Sequence, residues 1–189
     1  SSAAIEAHNA GANVMIVTKP RIGDANTMMA EGGIQAADKP NDSPAIHYLD
    51  AFGGGHFDGK PELVYTLVNK APSVIKWLND LGVEFDKEAD GTMVTTHGGG
   101  TSRKRMHACK DYSGAEIMRT LRDETFNRPD RITVVDFTAA IEIIKNDKGE
   151  ACGAVLENVE TGEIRIAKAK VVVIATGGAG RMHYQGFPT

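Results

Sequence analysis

The order of elements at the start of the chain constrains the fold more than any single residue does. Ala3, Ala4, Ala7 and Ala10 recur at three- and four-residue spacing with Ile5 beside them, which predicts a helix over Ser1 to Ala10. Gly11 supplies the positive φ that ends such a helix. A continuous apolar run, Val14-Met15-Ile16-Val17, follows within Asn13 to Val17 and reads as a strand buried on both faces. Thr18 to Asp42 is then turn-rich, with Pro20, Gly23, Asp24, Asn26, Gly32, Gly33, Pro40 and Asn41. A long irregular segment in a compact domain is functional or disordered, and the interleaved Met28, Met29, Ala30 and Ile34 argue against disorder. Helix, strand and glycine-bearing loop together have the form of the second half of a βαβ nucleotide-binding unit.

Further elements follow by pattern. Ser43 to Phe52 reads as a helix. Pro61 to Leu81 reads as a second, with Leu63, Leu67, Val68, Ile75 and Leu78 on its apolar face and a kink or break at Pro72. Asp90-Gly91 predicts a hairpin turn between Val83–Phe85 and Met93-Val94. Ser113-Gly114-Ala115-Glu116 has capping-box spacing and should open a helix to about Phe126. Ile132–Val135, Ala139–Ile144, Ala151–Asn158 and Glu163–Ala167 alternate like strands, joined by Asp147-Lys148-Gly149 and Thr161-Gly162 turns. Val171-Val172-Val173-Ile174, within Lys170 to Ala175, reads as another buried strand running into Thr176-Gly177-Gly178. The expected class is α/β, a Rossmann-like parallel sheet with helices and an added antiparallel β-meander.

Composition excludes some functions. At 189 residues the chain can bury a core. A net charge of -4, with Arg103, Lys104 and Arg105 as its tight basic cluster, gives nucleic acid no electrostatic footprint. Apolar runs stay far short of the ~18 residues of a membrane helix. Cys109 and Cys152 lie far apart, with no zinc-type spacing. They fit a reducing, cytoplasmic setting, and Cys109 reads as a buried inert thiol. His47, His56, His107 and His183 have no second ligand at metal spacing.

The loop residues themselves suggest cofactor contact. Paired glycines let backbone approach a flat ring or a phosphate, and Thr18, Asn26 and Thr27 offer short polar groups. An ordinary surface loop is the competing reading from the residues alone.

Three motifs carry a family resemblance. Thr18 to Ala37 matches, without a gap, T-K, a spacer, then T-x-x-A-x-G-G-I-x-A-A. Arg105 to Leu121 matches R-x-x-x-x-x-D-x-T-G-x-x-x-x-x-T-L through Arg105, Asp111, Ser113 (for Thr), Gly114, Thr120 and Leu121. Ala175 to Arg181 matches A-T-G-G-A-G-R. The chain thus resembles the flavoproteins of the succinate dehydrogenase, fumarate reductase and L-aspartate oxidase family.

The resemblance implies FAD as cofactor and interconversion of a dicarboxylate such as succinate and fumarate by hydride transfer at the flavin. It implies FAD contacts from Thr18, Lys19, Asn26, Thr27, Ala30, Glu31, Gly32, Gly33, Thr138, Ala139, Ala175, Thr176, Gly177 and Gly178. In the membrane-complex members a His precedes the Thr matched by Thr27 and carries FAD covalently. Asn26 stands there in this sequence, so FAD is expected to be non-covalent.

The segment Thr95 to Ser102 matches the family's substrate-facing stretch, with His97 and Gly98 as the candidates. A His there can donate to a carboxylate or take a proton. Aspartate oxidases carry a Glu near that place and the dicarboxylate enzymes tend to carry an aromatic residue, so His97 argues against an aspartate oxidase and is compatible with a dicarboxylate or another acid; a loop His without a partner is the plainer alternative. The proton-donating Arg and the principal carboxylate-binding His and Arg of the family follow the sequence matched by Thr189, so no catalytic residue is assigned here. The expected protein is the FAD-binding part of an enzyme, without the first strand and its G-x-G-x-x-G turn and without the capping domain. An iron-sulfur or other electron-transfer subunit is the expected partner, with peripheral membrane association through such subunits. Other flavin-dependent enzymes of the superfamily, L-aspartate oxidase-like ones included, and a non-catalytic nucleotide-binding module remain as alternatives.

Overall fold

The computed structural model describes residues 1–178. In chain order these form α1 (Ser2–Asn9), β1 (Val14–Val17), a 3₁₀ turn (Asn26–Met29), β2 (Ile34–Gln35), α2 (Pro44–Gly54) and α3 (Pro61–Asp80). There follow β3 (Met106–His107), α4 (Ser113–Phe126), β4 (Ile132–Val135), β5 (Thr138–Lys145), β6 (Ala151–Asn158) and β7 (Ile164–Lys168). The class is α/β, with parallel and antiparallel sheet as expected. The chain forms two compact units, one from Ser1–Asn26 with the segment from Leu121 onward, the other Thr27–Thr120.

In the first unit, α1 ends on a Schellman turn. Gly11, at φ +86°, donates its N–H to His8 O, and Ala12 N–H donates to Ala7 O. Ile5 is fully buried. Strand β1 pairs in parallel with β4, Val14 opposite Ile132 through Val17 opposite Val135. The expectation that β1 is buried on both faces is corrected: β4 is its one ladder partner among the described residues, and Met15 is 51% exposed. The strand expected over Val171–Ile174 is also corrected. The segment joins no ladder and exposes Val171, Val173 and Ile174, since an apolar run becomes a strand only where a neighbouring backbone takes its N–H and C=O groups. The meander does form: β5, β6 and β7 pair antiparallel in that order. Glycines at positive φ, Gly149 and Gly162, turn its corners, and the register of β5 shifts between Ala140 and Glu142.

In the second unit, Ser43 caps α2 by accepting the Ile46 N–H at 3.3 Å. Helix α3 is not divided at Pro72. Val68 before the proline and Ile75 and Leu78 after it are all buried, so packing on both sides carries the helix across the lost hydrogen bond. Its apolar face is narrower than expected, because Leu63 and Leu67 are 62% and 60% exposed. Ile75→Ala is therefore expected to cost about 2–5 kcal/mol in urea unfolding, as for other buried Ile truncations. Leu67→Ala should stay within about 0.5 kcal/mol.

The turn at Asp90-Gly91 forms, with Gly91 at φ +86° and Lys87 bridging Met93, but no named strands flank it. Helix α4 starts at Ser113 without the expected capping box. The Ser113 hydroxyl accepts the Cys109 N–H at 2.9 Å, and Glu116 turns away to accept the Glu84 N–H at 3.1 Å and to pair with Arg119 at 2.7 Å. Both side chains are drawn to groups outside the helix, so the reciprocal cap is lost to tertiary contacts.

Candidate functional site

The segment Thr27–Gly33 is held from one side and bare on the other. Thr27 and its neighbours close a 3₁₀ turn through Ala30 N–H to Thr27 O at 3.1 Å. Gly114, at the start of α4, donates its N–H to Ala30 O at 2.7 Å. An added Cβ on Gly114 would collide with Thr27 O and lie 2.8 Å from both Ala30 Cβ and Ala30 O, so only glycine permits this approach. Gly33 sits at φ +142°, and a Cβ there would run into His107 O and lie 2.9 Å from the Met106 side chain. Residues 27 to 33 are nonetheless exposed, including Met29 at 74%. Within the second unit this joins residues 27–37 of the first motif to residues 105–120 of the second.

Behind the loop lies a set of buried ion pairs that sequence reasoning passed over. β2 and β3 pair with Ile34 opposite His107 and Gln35 opposite Met106. Arg105 is fully buried and grips Asp42 with two bonds, Nε to Oδ2 at 2.6 Å and Nη2 to Oδ1 at 2.9 Å. Its Nη1 donates to Asp50 Oδ2 at 2.5 Å. His107, two residues on, is also fully buried, with Nδ1 3.1 Å from Arg105 O and Nε2 3.0 Å from Asp38 Oδ2. The segment following the loop is thereby strapped to β3 at Asp38 and Asp42. The available signal was the run of aspartates at 38, 42 and 50 with an otherwise unexplained Arg inside a family motif.

These contacts set the acid behaviour. The Arg105 guanidinium bonded to Asp42 holds that carboxyl below its usual 3.8, with burial working the other way. For Asp50 burial raises the value, but hydrogen bonds from Ser102 and Arg105 outweigh it and the net direction is down. Folded values below the unfolded ones mean that the native state binds fewer protons. The stabilisation is therefore present above the unfolded value and lost as pH falls through the folded values. Urea midpoints measured down a pH series should hold to about pH 5 and then fall steeply below about pH 4. Burial, with Glu116, Asp86 and Glu84 nearby, pushes the Cys109 thiol up to about 11, in keeping with an inert thiol.

The other sequence-predicted residues fall as follows. In the first unit, Thr18 and Thr138 are brought together: Thr138 N–H donates to Thr18 O at 3.0 Å, and Thr18 N–H to Val135 O at 3.1 Å. Asp136, absent from the sequence reading, ties the same corner by accepting the Ile22 N–H at 2.8 Å, and its carbonyl accepts the Thr138 hydroxyl at 2.9 Å. Ala139 follows in β5 opposite Glu157. Lys19 is exposed, as is Asn26 at the start of the 3₁₀ turn. Ala175 to Gly178 are exposed and irregular, with Gly177 at φ +75°. Ala179, Gly180 and Arg181 of the third motif lie outside the described residues, as does His183. In the second unit, Thr27, Ala30, Glu31, Gly32 and Gly33 share the loop already described. His97 is exposed, and Gly98 lies against Gln35 of β2, where an added Cβ would be 2.6 Å from Gln35 Nε2. A cavity of about 410 Å³ lined by Pro44, Ala45, Tyr48, Leu49, Tyr65 and Asn69 contains none of these residues.

The donor set suits a dinucleotide cofactor: glycines at positive φ, short hydroxyl side chains, and a methionine-bearing loop that leaves its outer face open. Among the described residues no group of His, Cys, Asp and Glu could hold a metal ion. Fold and loop geometry together fit a nucleotide-binding α/β protein.

The FAD binding domain family matches residues 1–188, and the chain belongs to that family. It is 38% identical over 172 residues to an uncharacterised FAD-dependent oxidoreductase of Methanocaldococcus jannaschii, covering 90% of this chain and 32% of that protein. To the L-aspartate oxidase of Streptomyces coelicolor it is 31% identical, covering 96% of this chain and 32% of that protein. It is 32% identical to a fumarate reductase (CoM/CoB) subunit of Methanothermobacter marburgensis, covering 83% and 29%. Among solved structures, Mycobacterium smegmatis Sdh1 in complex with UQ1 superposes with a TM-score of 0.90 at 34% identity, covering 95% of this chain and 32% of that one. The relatives are thus FAD-dependent oxidoreductases of the succinate dehydrogenase and fumarate reductase group and L-aspartate oxidases, and the chain spans about a third of their length. No helix among the described residues is long and apolar enough to cross a membrane.

Proposed function

We propose that the chain is the FAD-binding part of an oxidoreductase of about the relatives' length, interconverting a dicarboxylate such as succinate and fumarate. The observation that carries this reading is the loop Thr27–Gly33, packed by backbone against Gly114 and His107 and open on its other side. FAD, when bound, supplies the centre that gives or takes hydride. Thr27, Ala30, Glu31, Gly32 and Gly33 are proposed as contacts to it, as, by family resemblance, are Thr18, Lys19, Asn26, Thr138, Ala139 and Ala175–Gly178.

His97 and Gly98 face the substrate in this reading. His97 can donate to a carboxylate, whereas an amino-acid substrate calls for a carboxylate there to meet its ammonium group. The L-aspartate oxidase relatives support the second reading, an L-aspartate oxidase-like activity, and His97 in place of an acidic residue speaks against it. An iron-sulfur or other electron-transfer subunit is proposed as partner, and the protein is proposed to be cytoplasmic and peripheral to a membrane through such subunits. Support comes from the quinol-fumarate reductase structure with menaquinol molecules, which superposes with a TM-score of 0.89 at 28% identity.

FAD is held without a covalent bond in this proposal, because the Asn26 amide is not nucleophilic as an imidazole nitrogen is. Acid precipitation of the purified full-length flavoprotein should release its FAD into the supernatant. Yellow colour retained in the washed pellet would refute non-covalent binding.

A further inference from the structure

The loop between Thr96 and Met106 is closed at its neck, where Thr96 N–H donates to Met106 O at 3.0 Å and Met106 N–H returns to Thr96 O at 3.1 Å. Beyond that neck it carries Gly98-Gly99-Gly100, the residue type with most backbone freedom to lose. Inside the loop the Thr101 hydroxyl donates to Gly98 O at 3.0 Å. That bond shapes a tight turn but ties it to nothing outside.

The outside tie comes from α2. Asp50 Oδ2 accepts the Ser102 N–H at 2.9 Å and the Ser102 hydroxyl at 2.8 Å, and the same oxygen accepts Arg105 Nη1. Arg105 is itself immobilised by its two bonds to Asp42. At its other end the loop rests on β2, the strand that continues from Gly32-Gly33, through the close approach of Gly98 to Gln35.

We infer that Asp50 is a positioning residue that fixes the Gly98–Ser102 turn, and so sets where His97 and Gly98 present themselves to a substrate. The inference rests on the proposed role of those two residues. Attraction of substrate by this cluster is not the mechanism. Asp50 has the wrong sign for an anion, and Arg105 is fully buried with its fork taken up by two aspartates. What Asp50 contributes is ordering of the glycine turn before substrate arrives, which lowers the cost of binding.

The test uses the full-length FAD-loaded enzyme with Asp50→Ala and Ser102→Ala. Asp50→Ala leaves the Arg105–Asp42 pair balanced, and Ser102→Ala removes only the hydroxyl bond on an exposed loop, so at least one variant folds. In both, the FAD content should match the parent. Amide hydrogen exchange over residues 98–102 should accelerate at least about tenfold in Asp50→Ala, a local opening that leaves global stability intact. KM for fumarate should rise about tenfold or more while kcat falls less than about threefold, with Ser102→Ala smaller in the same direction, the pattern of lost ground-state binding. Unchanged exchange over 98–102 overturns the positioning role, and so does faster exchange with an unchanged KM. If the parent enzyme turns over no dicarboxylate, the reading of the substrate fails separately, and the exchange result alone decides whether Asp50 fixes the turn.

Discussion

Replacing Arg105 with Met is expected to destabilise the protein by about 3–5 kcal/mol, the range for breaking a buried ion pair from one side. The guanidinium is fully buried, the Asp42 side chain is 1% exposed and the Asp50 side chain 18%, so removing Arg105 strands two carboxylates where water does not reach well. Equilibrium unfolding in urea measures the loss directly. The double substitution Arg105→Met with Asp42→Leu should recover a large part of it, because an apolar pair of similar volume has no desolvation to make good. Asp50 then keeps its bonds from Ser102. A single substitution costing less than about 1 kcal/mol would show that solvent reaches the cluster as it does a surface pair.

Gly114→Ala is the second large effect, and it falls on cofactor binding. The new Cβ would overlap Thr27 O and press on Ala30, so either α4 retreats or the Thr27–Ala30 turn moves outward. Overpacking of this kind costs about 1–3 kcal/mol of stability. The moved turn carries the peptide groups proposed to lie along FAD, and loss of an aligned contact there should weaken FAD by about tenfold or more, equivalent to roughly 1.4 kcal/mol. Titration of the apoprotein by flavin fluorescence measures this. Ala at Gly54, where an added Cβ meets nothing within 4 Å, is the matched control and should leave FAD affinity unchanged.

Local chemistry makes much of this legible in the sequence. Strands β4 and β6 follow the alternation of their side chains, Gly11, Gly149 and Gly162 turn where positive φ is required, and α2 begins at the serine that caps it. The loop Thr18–Ala37 and the position of Gly114 are visible as motifs of the family, and within the loop the paired Gly32-Gly33 marks a close backbone approach. Contacts distant in sequence are not visible. Ser113 and Glu116 have capping-box spacing, yet Ser113 bonds back to Cys109 just before the helix and Glu116 is taken by Glu84 from a distant segment. Val171–Ile174 has the composition of a core strand, but composition cannot supply the neighbouring backbone that makes a strand. The ion pairs of Arg105 and the contacts of His107 are hidden for the same reason, since Asp38, Asp42 and Asp50 lie on a different segment from their partners. His97 and Asn26 are proposed from their positions in motifs alone, and both are exposed.

Exchange of reducing equivalents between the flavin and a dicarboxylate is the proposed reaction. The direct measurement is anaerobic: the full-length FAD-loaded enzyme is reduced with a stoichiometric amount of dithionite, and the visible flavin absorption is followed as fumarate is added. Fumarate is expected to restore the oxidised flavin band with formation of an equal amount of succinate. A reduced flavin indifferent to fumarate, in an enzyme whose oxidised flavin is instead bleached by L-aspartate, would contradict it.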